Sequence, residues 1–147
     1  MIESRLEHFL LYELDDDWMP LAAFVGTVRQ VTPQDCSIER VAAIIEEFIR
    51  EQWMIPGGWS KDTGTWEPWC VPVEEAMARI AGGYDGLAGY VGANEEELAT
   101  TEVFRGEITE VGRRRLDELG SPYEKYGDPW ESIRSHRAEG DFPPWTP

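Results

Sequence analysis

Apolar positions recur at helical spacing through residues 37–58, SIERVAAIIEEFIREQWMIPGG, the clearest pattern in the chain. Ile38, Val41, Ile44, Ile45, Phe48, Ile49 and Trp53 form one broad stripe, with Glu39, Arg40, Glu46, Glu47, Arg50 and Glu51 on the other side. Pro56-Gly57-Gly58 stops this central helix and hands the chain to extended structure. Thr32-Pro33-Gln34-Asp35 offers an earlier start, with Thr32 as cap and Pro33 at the first helical position. Upstream, Ile2, Leu6, Phe9, Leu10 and Leu14 mark a first amphipathic helix that ends near Asp15-Asp16-Asp17. Acids oppose the negative end of a helix and suit the positive start of the next. A second helix is therefore predicted, with Asp17 or a neighbour as cap, Pro20 in the first turn and Leu21, Phe24, Val25 and Val28 inside. A short turn over residues 29–35 joins it to the central helix.

The next stretch, WMIPGGWSKDTGTWEPWCV, places two apolar-aromatic pieces around the turn-forming Ser60-Lys61-Asp62-Thr63-Gly64. It predicts a β-hairpin, with Trp53, Ile55 and Trp59 outbound and Trp66, Trp69 and Val71 returning. Pro68 confines the returning strand to an edge or breaks it with a bulge. Pro72 opens a short helix over residues 72–81, whose apolar face is Val73, Ala76, Met77 and Ile80. The run GGYDGLAGYVGANEEE reads as a loop whose glycines permit turns. It has neither the Lys-Ser/Thr ending of a phosphate loop nor a G-x-G-x-x-G lead into a helix. Residues 100–104 alternate weakly and predict a third strand. The last clear helix has Thr109 as cap, Glu110 in its first turn, and Leu116 and Leu119 facing inward; Gly120-Ser121-Pro122 ends it. The remainder reads as an extended tail with one helical turn near residues 130–137, pinned to the body by Trp130, Phe142 and Trp145.

Length and charge narrow the function. A chain of 147 residues suits one domain with a hydrophobic core, and seven tryptophans are anchors for that core or for an interface. The formal charge of −16 repels phosphate backbones and anionic lipid and attracts basic proteins or cations. Cys36 and Cys70 form no C-x-x-C and read as reduced thiols; a bridge between them is the less favoured alternative. The N-terminus lacks a basic leader followed by an apolar run, and no stretch approaches the ~20 apolar residues that span a bilayer. A soluble, cytoplasmic protein is the expectation.

The helix–helix–helix–hairpin order, with EEFIREQWMIPGG closing the third helix, resembles a winged-helix domain. ITEVGRRRLDEL is similar to the "L-T-x-x-G-R-x-x-L" opening of the C-terminal helix in winged-helix regulators of the PadR and MarR types. The resemblance covers residues 1–120 and extends to small winged-helix-like proteins of actinobacteria, for which it implies no activity. It implies an α+β fold, mainly helical: a three-helix winged-helix-like core with a β-hairpin wing, an inserted short helix and a C-terminal helix. An extended, Pro- and aromatic-rich tail over residues 121–147 would pack on that domain. The inserted helix and glycine-rich loop depart from the family pattern.

In that pattern the third helix enters the major groove. Here its exposed face would present Glu39, Glu46, Glu47 and Glu51 against only Arg40 and Arg50. DNA binding, the alternative reading, would use Arg40, Arg50, Lys61, Arg113, Arg114 and Arg115 against phosphates. The bland reading of the arginine run is a solvated face paired with Glu110, Asp117 and Glu118. The preferred reading is a non-enzymatic interaction protein, an immunity protein, inhibitor or nucleic-acid mimic. Its acidic face would be Asp15, Asp16, Asp17, Glu39, Glu46, Glu47 and Glu51, with Trp59 and Trp66 as anchors for a basic protein partner. Charge that merely maintains solubility is the competing explanation. Nucleic acid is disfavoured by charge, a membrane partner is excluded from this reading, and a homodimer is allowed.

His8 and His136 lie far apart with no metal-ligand spacing to another His or Cys. Asp15-Asp16-Asp17 and Glu95-Glu96-Glu97 lack the alternation of a calcium loop and read as solvated acidic turns. No G-x-S-x-G elbow occurs, so no catalytic residue, metal site or cofactor is assigned. A small enzyme remains the weakest of three classes.

Overall fold

A computed structural model describes residues 2–131. The chain is α+β, with helices packed against a four-stranded antiparallel sheet among the described residues. Helix α1, Ser4–Asp16, buries Leu6, Phe9, Leu10, Leu11 and Leu14 along one face. The chain then makes a two-residue strand β1, Met19–Pro20, before α2, Leu21–Val31. The sequence offered Asp17 or a neighbour as the cap of α2, and Asp17 does not cap it. The strand intervenes, Pro20 takes the cap position, and the Asp17 carboxylate accepts instead from the Trp18 backbone N–H at 2.7 Å. Pro33–Asp35 form a separate 3₁₀ turn, and α3, Ile38–Arg50, starts one step later. Its cap is Ser37, whose hydroxyl accepts from the Arg40 N–H at 3.1 Å. Thr32, the other candidate, instead donates its hydroxyl back to the Val28 carbonyl within the preceding helix.

Strands β2, Met54–Ser60, and β3, Thr65–Pro68, form the hairpin, with Trp59 opposite Trp66. Trp69 and Val71 lie beyond the ladder, since Pro68 closes it. β3 is a sheet edge, as Pro68 demands. Helix α4, Val73–Gly82, follows, then the glycine-rich turns. The three glutamates at residues 95–97 are exposed, as read from the sequence, but do not form an isolated turn. They are the first turn of α5, Glu95–Thr100, closed by a reciprocal capping box between Asn94 and Glu97. The last strand, β4, is Arg105–Ile108 rather than residues 100–104. Thr100 closes α5, and Val103 and Phe104 are core side chains outside any ladder.

The sheet order is β1-β4-β2-β3, so β4 returns to lie between β1 and β2. Met54, Pro56 and Gly58 alternate inward, and Ile55 and Trp59 outward. The inner face joins Phe9, Phe24, Ile45 and Phe48 of the first three helices in one core. Gly106 is needed there, because a Cβ would collide with the Met54 side chain. Helix α6, Glu110–Leu119, is capped by Thr109, whose hydroxyl accepts from the Gly112 N–H at 2.9 Å. The segment after Gly120 is not simply extended. Pro122 opens a short helix α7, Pro122–Tyr126, which packs on α1 through edge contacts of Tyr123 with Phe9 and Tyr12. His8 is buried, its Nε2–H donates to the Gly120 carbonyl at 2.6 Å, and its ring meets Tyr126 edge-on. The expected turn at residues 130–137 and the anchors Phe142 and Trp145 lie largely or wholly outside the described residues, as does His136. Among the described residues, no helix is long and apolar enough to cross a membrane. Cys36 and Cys70 are both free thiols.

Candidate functional site

The outward face of the sheet gathers aromatics that the chain order keeps apart. Trp66 on β3 lies across Gly57 of β2, where a Cβ would stand 2.5 Å from its ring carbons. Its indole N–H donates to the Arg105 carbonyl at 3.0 Å. Trp18, just before β1, stacks on Trp66 with centroids 5.5 Å apart and planes at 21°. The Trp18 indole N–H donates to the Glu107 carboxylate at 3.3 Å. Arg105 pairs with Glu102 at 2.7 Å; that hydrogen bond raises its pKa further, burial opposes the rise, and Asp17 adds to it. Trp59 is left 41 % exposed. Asp17, Trp59 and Trp66 thus share this sheet region with Trp18 and Glu107, which sequence reasoning did not single out.

The other predicted acids take different neighbours. Asp15 turns to α6, where it pairs with Arg113 at 3.0 Å. Glu46 pairs with Arg50 at 2.8 Å, and Arg50 reaches on to Glu74 of α4 at 3.0 Å. These two carboxylates hold the Arg50 pKa above its usual value. Glu74 is lowered, first by its own backbone N–H and then by Arg50. Asp16, Glu39 and Glu51 are exposed, and Glu47 is half-buried. Asp17, Asp15 and Glu46 are thus drawn to the sheet, α6 and α4 respectively.

Most of the cations proposed for DNA are already engaged. Arg113 pairs with Asp15, and Arg115 pairs with Glu7 at 2.9 Å while lying 5.8 Å over the Trp53 ring. Both partners come from α1, not from the Glu110, Asp117 and Glu118 of their own helix. Glu110 and Asp117 act on Arg113 only as lesser charges, behind its hydrogen bond to Asp15. Arg40 pairs with Asp35 at 2.9 Å. Lys61, at the hairpin tip, donates to the Asp85 backbone carbonyl at 3.5 Å. Arg114 is exposed and makes no ion pair among the described residues.

That lysine contact brings the hairpin tip against the glycine-rich turns and helps enclose a cavity of about 440 Å³. Trp59, Trp69 and Tyr84 line it, with Asp62, Glu67 and Asp85 among its polar groups. Arg79 of α4 also lines it. Its guanidinium lies 4.0 Å from the Tyr84 centroid and 5.2 Å from that of Trp69, and it pairs with Glu75 at 2.8 Å. The glycine-rich run shapes this wall. Gly89 packs against the Ala81 carbonyl, and Gly86 has φ +81°. Among the described residues no cluster of His, Cys, Asp and Glu has a metal-holding arrangement. No family model matches the chain, and neither a curated protein nor a solved structure does.

Proposed function

We propose that the protein is a non-enzymatic interaction module on a winged-helix-like scaffold, binding a basic protein partner through its acids, the exposed Trp59 and the half-buried Trp66. One observation carries this reading: Arg40, Arg50, Arg113 and Arg115 are each neutralised by a carboxylate of the same chain. A phosphate would have to displace those carboxylates before releasing any counterion gain. Meanwhile the last sixteen residues hold two arginines and two acids, so the net charge of −16 resides in residues 1–131. Such a field steers cationic proteins inward and raises their association rate. The scaffold reading is supported by three consecutive helices closed by a small antiparallel sheet in which β4 returns between β1 and β2.

The test is capture of partners by tagged full-length protein at low and high salt. A basic partner released by salt is expected. Recovery of no salt-sensitive basic partner would count decisively against the reading. The DNA-binding alternative draws on the same helical order and on Arg114 and Lys61. A gel shift on random duplex at low salt decides it, and no shift is expected.

A further inference from the structure

We infer that the cavity between the hairpin tip and the glycine-rich turns seats an arginine side chain of that basic partner. The inference rests on the reading of the chain as a binder of basic protein, and three independent features of the cavity lead to it. The first is size: about 440 Å³ falls within the roughly 300–1,000 Å³ of pockets that enclose a small group. The second is charge. Asp62, Glu67 and Asp85 are exposed, line the cavity, and take part in no ion pair among the described residues. Lys61 meets Asp85 through the backbone carbonyl, which leaves the carboxylate oxygens open to a guest.

The third feature is the wall itself. Arg79 shows that the Tyr84 and Trp69 rings accept a guanidinium at 4.0 and 5.2 Å. Because Glu75 matches the Arg79 charge, the rim carboxylates are left to balance a second cation. A planar guanidinium satisfies such a site better than an ammonium. It stacks on a ring while its fork of N–H groups engages carboxylates, whereas lysine presents a strongly hydrated point charge.

The experiment titrates N-acetyl-arginine-methylamide into the full-length, ¹⁵N-labelled protein, with the lysine and norleucine equivalents beside it. Saturable shifts confined to the Trp69 indole and the amides at residues 58–60 and 84–87 are expected, weaker with lysine and absent with norleucine. The triple variant Asp62→Asn, Glu67→Gln, Asp85→Asn should weaken arginine binding by about tenfold or more. Asn suits the positive φ of Asp85, and retained spectral dispersion verifies the fold. Glu96→Gln with Glu124→Gln, exposed and remote from the cavity, should leave binding unchanged. Shifts spread over α3 without saturation, equal binding of lysine, or an unaffected triple variant would each overturn the inference. If the triple variant still captures a salt-sensitive basic partner as wild type does, the cavity assignment fails and the proposed function stands. If arginine seats as expected but no basic partner is ever captured, the cavity assignment stands and the proposed function fails.

Discussion

Trp18 and Trp66 are separated by most of the core in sequence yet stack 5.5 Å apart, clasping the two outer strands across β4 and β2. Each indole also donates its N–H into the sheet region, to Glu107 and to the Arg105 carbonyl. Replacing Trp66 by Ala therefore removes the stack, one hydrogen bond and the cover over Gly57. A loss of about 2–3 kcal/mol is expected in urea denaturation, below the full core value because the ring is half-buried. A double-mutant cycle with Trp18→Ala should return about 0.5–1.5 kcal/mol of coupling. Strict additivity would mean that the rings do not support each other.

Gly112 explains the glycine of the ITEVGRRRL motif in packing terms. A Cβ there would run into the Trp53 backbone carbonyl, which also accepts from the Thr109 N–H at 2.9 Å. A backbone atom held by a hydrogen bond cannot swing aside. Gly112→Ala should cost about 1–3 kcal/mol despite Ala's better helix propensity, read as a lower urea midpoint. An unchanged midpoint would show that α6 moves freely away from Trp53.

Glu13 supplies a pH test. Burial raises its pKa, the hydrogen bond from Tyr123 partly offsets this, and Asp16 adds to the rise. The folded state thus holds this proton more tightly than the unfolded chain. The resulting stabilisation is complete below the unfolded pKa and is lost as pH rises through the folded one. Glu13→Gln keeps an acceptor for the Tyr123 hydroxyl while removing the charge. Its Tm should exceed wild type at neutral pH, with the gain shrinking as pH falls into the carboxylate range. A gain independent of pH would assign the effect to packing instead.

The paired arginines yield a gain-of-function test. Glu7→Gln with Asp15→Asn frees Arg115 and Arg113 beside the exposed Arg114. Stability should change little on losing the solvent-exposed Asp15 pair. A salt-sensitive gel shift on random duplex should appear where wild type gives none. If the freed cluster still ignores duplex DNA, self-neutralisation is not what keeps polynucleotides away.

The elements legible in sequence are those whose signal is local and long. The α3 stripe, the hairpin around residues 60–64 and the Thr109 cap stand in the structure because helical periodicity, turn residues and a capping hydroxyl act over a few neighbours. β1 was invisible because two residues carry no period; Met19 becomes strand only through its pairing with Gly106. β4 was displaced because it is strand only where it pairs with β2 and β1, a tertiary fact. α5 had a readable signal in Asn94-x-x-Glu97, masked by the glycines before it. Among the site residues, Asp17, Trp59 and Trp66 come to one region, whereas of the α3 acids Glu46 is tied through Arg50 to Glu74 of α4. Trp18, Arg79 and Tyr84 had no signal, since stacking partners are chosen across the fold.

Both margins of the sheet end in an imino acid, Pro20 on β1 and Pro68 on β3. Neither can donate a main-chain N–H to an incoming strand. Growth of the ladder into a neighbouring chain is thereby discouraged at those two positions. The bias is towards recognition through side chains rather than through strand augmentation.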